Sequence, residues 1–275
     1  MLVRHLLLGI LFAFSFSHAI FEDMESGARA EGFAGAFTAV ADDPCAVHFN
    51  PAGLQQVDRI GLYTFYQLLY GGVGDNLHNA TLNAAIPLSS RIGTLGVSFQ
   101  EMGSSLSSER DLTIAHGFAL LKDLHFGYGL TAYNVSMKTL GQAFAFGVDV
   151  GLHARLYRRW NIGFYAHNLN MPQVGIDQRT YLPRLLNLGL AYIPAPGIVS
   201  TLDVSQEVGQ QMRVAVGQEF QIIENLLTLR AGVQTEPVRM SFGLGTGTRN
   251  IHVDYALVTH PDLPLTHNLG LNIRF

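Results

Sequence analysis

The sequence contains little cysteine and little charge, and both shortages narrow the class of protein. Cys45 is the single cysteine among 275 residues, so an intramolecular disulfide is excluded. Charged residues make up 14% of the chain and hydrophobic residues 48%, whereas about a quarter of a soluble domain is charged. The net charge of −4 and the lack of a basic stripe argue against a nucleic-acid partner. We interpret Cys45 as a small buried residue rather than a reactive thiol.

Long apolar runs are also missing, except at the N-terminus. No run after residue 19 approaches the roughly 20 residues that a membrane-spanning helix needs. The apolar stretch Leu6 to Phe16 follows Arg4 and precedes the small-residue triplet Ser17-His18-Ala19. This pattern is typical of a signal peptide, so residues 1–19 are predicted to be cleaved off. An exported, hydrophobic chain without spanning helices predicts a β-barrel in the bacterial outer membrane, in contact with outer-membrane lipid.

Motifs of catalysis and metal binding are absent as well. The 11 histidines show no HExxH or comparable ligand spacing. Ser, His and Asp occur without a motif that links a nucleophile to a base and an orienting group. The glycine-rich stretch 243–247 lacks the strand–turn–helix context of a phosphate-binding loop. We therefore expect no enzyme activity, no catalytic residues, no metal ligands and no cofactor.

Short alternating runs are what the chain does contain. From Arg59 onward, runs of about ten residues alternate in polarity and are separated by turn-like clusters. This pattern predicts an all-β fold, an antiparallel transmembrane barrel of about fourteen strands over residues 59–275. The predicted strands are 60–70, 78–88, 92–102, 110–120, 124–136, 143–156, 160–168, 185–193, 198–207, 211–220, 226–235, 238–246, 251–258 and 266–275.

The alternation is clearest in the last predicted strand, where Leu269, Leu271, Ile273 and Phe275 share one face. Alternation alone does not distinguish a soluble β-sandwich from a membrane barrel, in which the apolar face contacts lipid. The signal peptide, the strand length and the low charge favour the barrel. So does the parity of the connections, because every second one is short, as periplasmic turns are. The longest connections are expected at 103–109, 137–142 and 169–184.

Residues 20–58 have a different composition, rich in glycine and alanine and nearly free of strand-like alternation. Phe33, Phe37 and Val40 at i, i+4 and i+7 predict a helix that stops at Asp42-Asp43-Pro44. Asn50-Pro51 predicts a new helical start. We interpret the segment as a plug in the barrel lumen, where many small wall residues leave room for it. The alternative is that the glycines only relieve crowding where strands bend.

Part of this segment, GARAEGFAGAFTAVADDPCAVHFNPAGL (27–54), resembles the N-terminal motif of the PorV/PorQ family of bacterial outer-membrane proteins. These belong to a wider group of barrels similar to the FadL fatty-acid transporter. The later stretches 183–192, 214–237 and 266–275 agree with the family in the expected order. The resemblance implies a fourteen-stranded barrel with an N-terminal hatch. It also implies that Phe275 is the signal for the outer-membrane barrel assembly machinery, and that the hatch motif is Asn50, Pro51 and Ala52, with Gly53 after it.

Two functions remain open from the sequence. In the first, the barrel passes hydrophobic small molecules and is gated by movement of the plug around Asn50, Pro51, Ala52 and Gly53. An apolar ligand needs apolar contacts within a polar lumen, and the candidate contacts are Phe33, Phe37 and Phe49. In the second, the barrel is a scaffold or accessory part of a type IX-like secretion system, with a protein partner at the loops around 169–184.

Overall fold

Fourteen antiparallel strands close into a barrel, which confirms the predicted fold class. The computed structural model describes residues 26–72, 77–104, 106–139, 141–175, 179–224 and 226–275. The predicted signal peptide and residues 20–25 of the predicted plug lie outside these residues. Each wall strand pairs with its neighbours in the chain, and the first closes on the last with Gly61 opposite Arg274.

The wall consists of β1–β7 and β10–β16, while β8 and β9 form a separate two-stranded hairpin. Every predicted strand corresponds to a wall strand, with ends displaced by a few residues. The bounds are β1 Gly61–Leu68, β2 His78–Ser89, β3 Gly93–Gly103, β4 Ser107–Leu121, β5 Leu124–Met137, β6 Gly141–Leu156, β7 Trp160–His167, β8 Gln173–Val174, β9 Thr180–Tyr181, β10 Leu185–Ala195, β11 Ile198–Glu207, β12 Arg213–Ile223, β13 Leu227–Gln234, β14 Arg239–Gly247, β15 Ile251–Val258 and β16 Thr266–Arg274.

Side chains alternate between the lumen and the outer surface along each wall strand. On β16, Asn268 and Asn272 are buried in the lumen, whereas Leu269 faces outward and is exposed. On β14, Met240 and Phe242 are exposed in the same way. The outer surface therefore carries an apolar band, as lipid requires, and the polar side chains face inward.

The two ends of the barrel differ in their connections. The end that holds Gly61 and Phe275, called here the turn end, has six connections of two or three residues each. The opposite end, called here the loop end, carries the longer connections, including 69–77, 168–184 and 259–265. The predicted parity therefore holds. Two of the predicted long connections are wrong, because β3, β4, β5 and β6 extend further than expected. Only 104–106 and 138–140 remain between those strands.

The N-terminal segment 26–58, called here the plug, contains short helical pieces only. They are α1 (Ala28–Gly32), α2 (Ala46–Phe49) and a 3₁₀ helix (Pro51–Gln56). No helix among the described residues is long and apolar enough to span a membrane. Asn50 and Pro51 begin the 3₁₀ helix as predicted, and the Asn50 side chain accepts a hydrogen bond from the Ala52 amide.

The helix predicted over Phe33, Phe37 and Val40 is wrong. Helix α1 ends at Gly32, and Ala34 and Gly35 have φ values of +55° and +77°, which an α-helix does not allow. The chain turns there, with the Gly35 amide bonded to the Ala30 carbonyl. All three apolar residues are nevertheless buried in one cluster. Because the barrel surrounds the plug, burial does not require them to share a helix face.

Candidate functional site

The plug fills the lumen toward the turn end and packs against glycines of the wall. Gly127 on β5 lies so close that a Cβ there would come within 2.3 Å of the Ala52 amide nitrogen. A Cβ at Gly163 would meet the Thr38 carbonyl oxygen at 2.3 Å, and one at Gly232 would meet Phe33. The same holds for wall glycines on most other strands. The glycines therefore make room for the plug backbone, as the plug interpretation required.

The predicted gating element, Asn50 to Gly53, packs against three of these wall glycines. The Pro51 carbonyl approaches Gly117 and Gly127, and the Asn50 Oδ1 approaches Gly151. Asn50 is fully buried, and its Nδ2 donates to the carbonyl oxygens of Thr38 and Leu152, each at 2.9 Å. This amide therefore links two parts of the plug to β6.

The other two members of the element, Ala52 and Gly53, are also buried. Gly53 packs inside the plug, because a Cβ there would meet the Ala41 carbonyl oxygen at 2.1 Å. The whole element is thus wedged between the rest of the plug and β4–β6. Its role in gating stays a prediction.

The three predicted ligand-contact phenylalanines form one aromatic cluster within the plug. The Phe33 and Phe37 ring centroids lie 6.1 Å apart, and those of Phe37 and Phe49 lie 5.3 Å apart with the rings edge to face. Phe33 and Phe37 are fully buried, and Phe49 is partly buried. The Arg29 guanidinium lies 5.3 Å from the Phe37 ring centroid. The cluster belongs to the apolar packing of the plug against the wall.

Buried ion pairs tie the plug to the opposite side of the wall. Arg29 on α1 pairs with Glu219 of β12 at 3.3 Å, and also with Asp42 and Asp43 of the plug itself. Arg230 of β13 then bonds the same Glu219 at 2.6 Å and Asp254 of β15 at 2.6 Å. Sequence analysis missed this network, because 190 residues separate Arg29 from Glu219 and no local motif connects them.

The lumen toward the loop end is open. A cavity of ≈ 460 Å³, called here the vestibule, is lined by the loop-end residues of the wall strands and by Tyr70 and His260 of the connections. Its charged lining residues are Glu207, Arg213, Glu236 and Arg239. Its apolar or aromatic lining consists of Leu69, Tyr70, Met102, Leu185, Pro237 and Val258.

A smaller cavity of ≈ 90 Å³, called here the side pocket, lies between the plug and β3–β7. Leu185 and Glu207 line both cavities, so the side pocket adjoins the vestibule. The plug contributes Val47 and His48 to it. The wall and its loops contribute Gln100, Asp111, Thr113, Thr131, Tyr133, Asp149, Tyr165, His167, Pro183, Leu185 and Glu207.

A hydrogen-bond network shapes one wall of the side pocket. Asp149 accepts from the Asn168 amide at 2.8 Å and lies 2.8 Å from His167 Nδ1. The Tyr133 and Tyr165 hydroxyls lie 3.1 and 3.0 Å from the His167 ring nitrogens. In the described part of the chain, no group of three or more His, Cys, Asp or Glu side chains has the arrangement of a metal site. This network was not predictable from the sequence, because its members are single polar residues on different strands.

Two further residues singled out in the sequence lie at separate places. Phe275 is 71% exposed at the turn end, and its amide donates to the Ile60 carbonyl at 2.9 Å, next to the first wall strand. Cys45 is a free thiol buried in the plug, with Asn83 Nδ2 at 3.6 Å from its Sγ. Neither adjoins the vestibule or the side pocket.

Comparison with solved structures finds barrels of the same fold. A Pseudomonas aeruginosa FadL homologue matches with a TM-score of 0.66 at 13% identity, covering 91% of this chain and 98% of that one. The CymD monoaromatic hydrocarbon channel matches with a TM-score of 0.65 at 12% identity, covering 92% and 98%. The Pseudomonas putida toluene transporter TodX matches with a TM-score of 0.63 at 13% identity, covering 92% and 98%.

Neither a protein-family model nor a curated protein sequence matches the chain. At identities of 12–13%, the structural likeness concerns the fold. The chain therefore shares its barrel fold with these solved structures, and its N-terminal plug lies in the lumen.

Proposed function

We propose that this protein is an outer-membrane channel for small hydrophobic molecules, held closed by its N-terminal plug. The observation that carries the proposal is the division of the lumen: an open vestibule at the loop end stops at a plug that fills the turn end. The solved structures with this fold include channels described as carrying monoaromatic hydrocarbons and toluene.

In this proposal the turn end faces the periplasm and the loop end faces the outside. A hydrophobic molecule enters the vestibule and contacts its apolar lining around Leu185, Met102 and Val258. Passage then requires the plug to move away from the glycine wall. The element Asn50, Pro51, Ala52 and Gly53 is the proposed pivot of that movement, because it is anchored on β4–β6. Movement of the plug separates Phe33, Phe37 and Phe49 from the wall and offers their rings to an apolar solute.

The test is the uptake of radiolabelled toluene by bacterial cells with an intact outer membrane, with and without the protein. We expect uptake to rise severalfold when the protein is produced, while entry of glycerol, a polar solute of similar mass, stays unchanged. Equal toluene uptake by the two strains, with the protein present in the outer membrane, would contradict the proposal.

The second candidate is a non-transporting accessory or scaffold component of a protein secretion system, of the PorV/PorQ type. The close packing of the plug favours it, since the buried ion pairs of Arg29 and Arg230 hold the plug to the wall. The connection 168–184 would be the docking place, with Met171 and Tyr181 exposed. Extraction in mild detergent followed by mass spectrometry separates the two. A stoichiometric protein partner without bound hydrophobic molecules would favour the scaffold.

Phe275 is proposed to be read by the barrel assembly machinery. Its side chain is exposed at the turn end. We expect Phe275→Ala to lower the amount of protein assembled in the outer membrane while leaving the unfolding midpoint of the assembled fraction unchanged. An equal yield of assembled protein for the variant and the wild type would contradict this role.

A further inference from the structure

The side pocket is lined mostly by polar side chains, and the passage of hydrophobic molecules does not require such a lining. Its ≈ 90 Å³ exceeds the roughly 10–15 Å³ that one ordered water needs, so the space admits a molecule larger than a single water. It opens toward the vestibule past Leu185 and Glu207, and its floor includes Val47 and His48 of the plug. A ligand entering from outside therefore reaches a place where it touches both the wall and the plug.

The lining contains three carboxylates and, as basic groups, only histidines. Asp111, Asp149 and Glu207 line the side pocket, and no lysine or arginine of the described chain does. His167 Nδ1 lies 2.8 Å from an Asp149 carboxylate oxygen. Glu207 stands at the junction with the vestibule, whose lining includes Arg213. Asp111 shares this lining with the histidines His48 and His167, and with no lysine or arginine.

Asp111 is the group that points to a ligand. It is 4% exposed, and one of its carboxylate oxygens is buried without a hydrogen-bond partner among the described residues. A buried carboxylate without a partner is strongly unfavourable, so buried charges are normally paired. On the neighbouring strands Asp111 lies opposite Gln100 and Tyr133, which supply an amide and a phenol but no cation.

We propose that the side pocket binds the protonated amine of a small aromatic or aliphatic monoamine. The ammonium group pairs with Asp111 and lies near the rings of Tyr133 and Tyr165, whose faces attract a cation. The apolar body of the ligand packs on Val47, Pro183 and Leu185. Because Val47 and His48 belong to the plug, the bound amine contacts the element that closes the lumen. Binding of an amine at this site does not depend on the proposed passage of hydrophobic molecules.

Calorimetry of the purified full-length protein in detergent tests the site with three aromatic probes. Benzylamine is a cation at pH 7, benzyl alcohol is its neutral counterpart, and toluene carries no polar group. We expect benzylamine to bind and benzyl alcohol to bind about ten-fold more weakly or not at all, because an ion pair is lost. Equal binding of the two, or no binding of benzylamine, would overturn the inference without a variant. Toluene binding alone would leave the proposed channel standing and refute the amine site.

A matched pair of variants locates the site. Asp111→Asn removes the charge at nearly constant volume, and Asp123→Asn removes a charge from an exposed turn. We expect Asp111→Asn to weaken benzylamine binding about ten-fold or more and Asp123→Asn to leave it unchanged. Retained benzylamine affinity in a folded Asp111→Asn protein would overturn the assignment. If Asp111→Asn does not fold, the comparison of benzylamine with benzyl alcohol on the wild type decides alone.

Discussion

The two halves of the lumen are built from the same fourteen strands but are filled in opposite ways. Toward the turn end, the strands present glycine and alanine, and the plug occupies the space that larger side chains would take. Toward the loop end, the same strands present residues such as Gln67, Glu207 and Arg239, and a cavity of ≈ 460 Å³ remains. The size of the wall side chains therefore determines where the plug lies, together with the sequence of the plug itself.

The largest loss of unfolding free energy is expected where wall glycines contact the plug backbone. Gly127→Ala places a methyl group 2.3 Å from Pro51 and Ala52 backbone atoms, so the plug or the strand must shift. Overpacking costs about 1–3 kcal/mol and more against rigid backbone, so we expect the upper end of that range or beyond. Gly129→Ala on the same strand is the control, because its nearest neighbours are at 3.6 Å. Urea unfolding in detergent and protease cleavage of the plug measure both.

Equal stability and equal plug protection for the two glycine variants would contradict the account of the packed half. Under the account, Gly127→Ala exposes the plug to protease and Gly129→Ala does not. The comparison stays within one strand, so differences in strand propensity cancel.

The ion pairs give the next largest effect. Arg230 is buried, with its side chain 3% exposed, and it forms ion pairs with both Glu219 and Asp254. Arg230→Met leaves two buried carboxylates short of a partner, which costs about 3–5 kcal/mol of unfolding free energy at most sites of this kind. The exposed pair of Arg110 with Glu101 at 2.9 Å is the control. Arg110→Met is expected to cost about 0–1 kcal/mol.

Thermal or urea unfolding of the two arginine variants decides this prediction. Similar losses for Arg230→Met and Arg110→Met would show that the buried network contributes no more than a surface pair. Only the buried pairs adjoin the plug, so only Arg230→Met is expected to raise protease access to it.

A smaller loss of unfolding free energy is expected at Asn50, in the proposed pivot. Asn50→Ala removes the two donated hydrogen bonds to Thr38 and Leu152 and the bond accepted from Ala52. Leaving buried carbonyls without a donor costs about 1–3 kcal/mol. Asn250→Ala in an exposed turn is the control and is expected to change stability by about 0.5 kcal/mol or less. Hydrogen exchange of the plug amides should accelerate only in Asn50→Ala, and unchanged exchange there would contradict the pivot.

The wall could be predicted from the sequence because its signal is local. A period of two in runs such as Leu269, Leu271 and Ile273 is visible in ten residues, and the parity of short turns fixed the two ends. The connections near 103–109 and 137–142 were misjudged, because β3, β4, β5 and β6 continue past the ends that their alternation indicated.

The interior was less predictable because its contacts are long-range. The spacing of Phe33, Phe37 and Val40 indicated a helix, yet a barrel buries a turn as readily as a helix face. The side pocket depends on residues such as His48 and Asp111 from separate elements, which no spacing connects. The caps around Asn50 and Pro51 were predictable, since those signals lie within three residues.

The central claim is that the plug moves to open the lumen, and a reversible disulfide tests it most directly. Asn83 Nδ2 on β2 lies 3.6 Å from Cys45 Sγ of the plug, so Asn83→Cys places a second thiol opposite the native one. Asn83→Ser is the control, because it cannot form the bond. The measurement is toluene uptake by intact cells before and after reduction. We predict that oxidised Asn83→Cys cells take up toluene at the rate of cells without the protein and recover on reduction, while Asn83→Ser cells stay unaffected. Undiminished uptake with the disulfide fully formed would contradict the account.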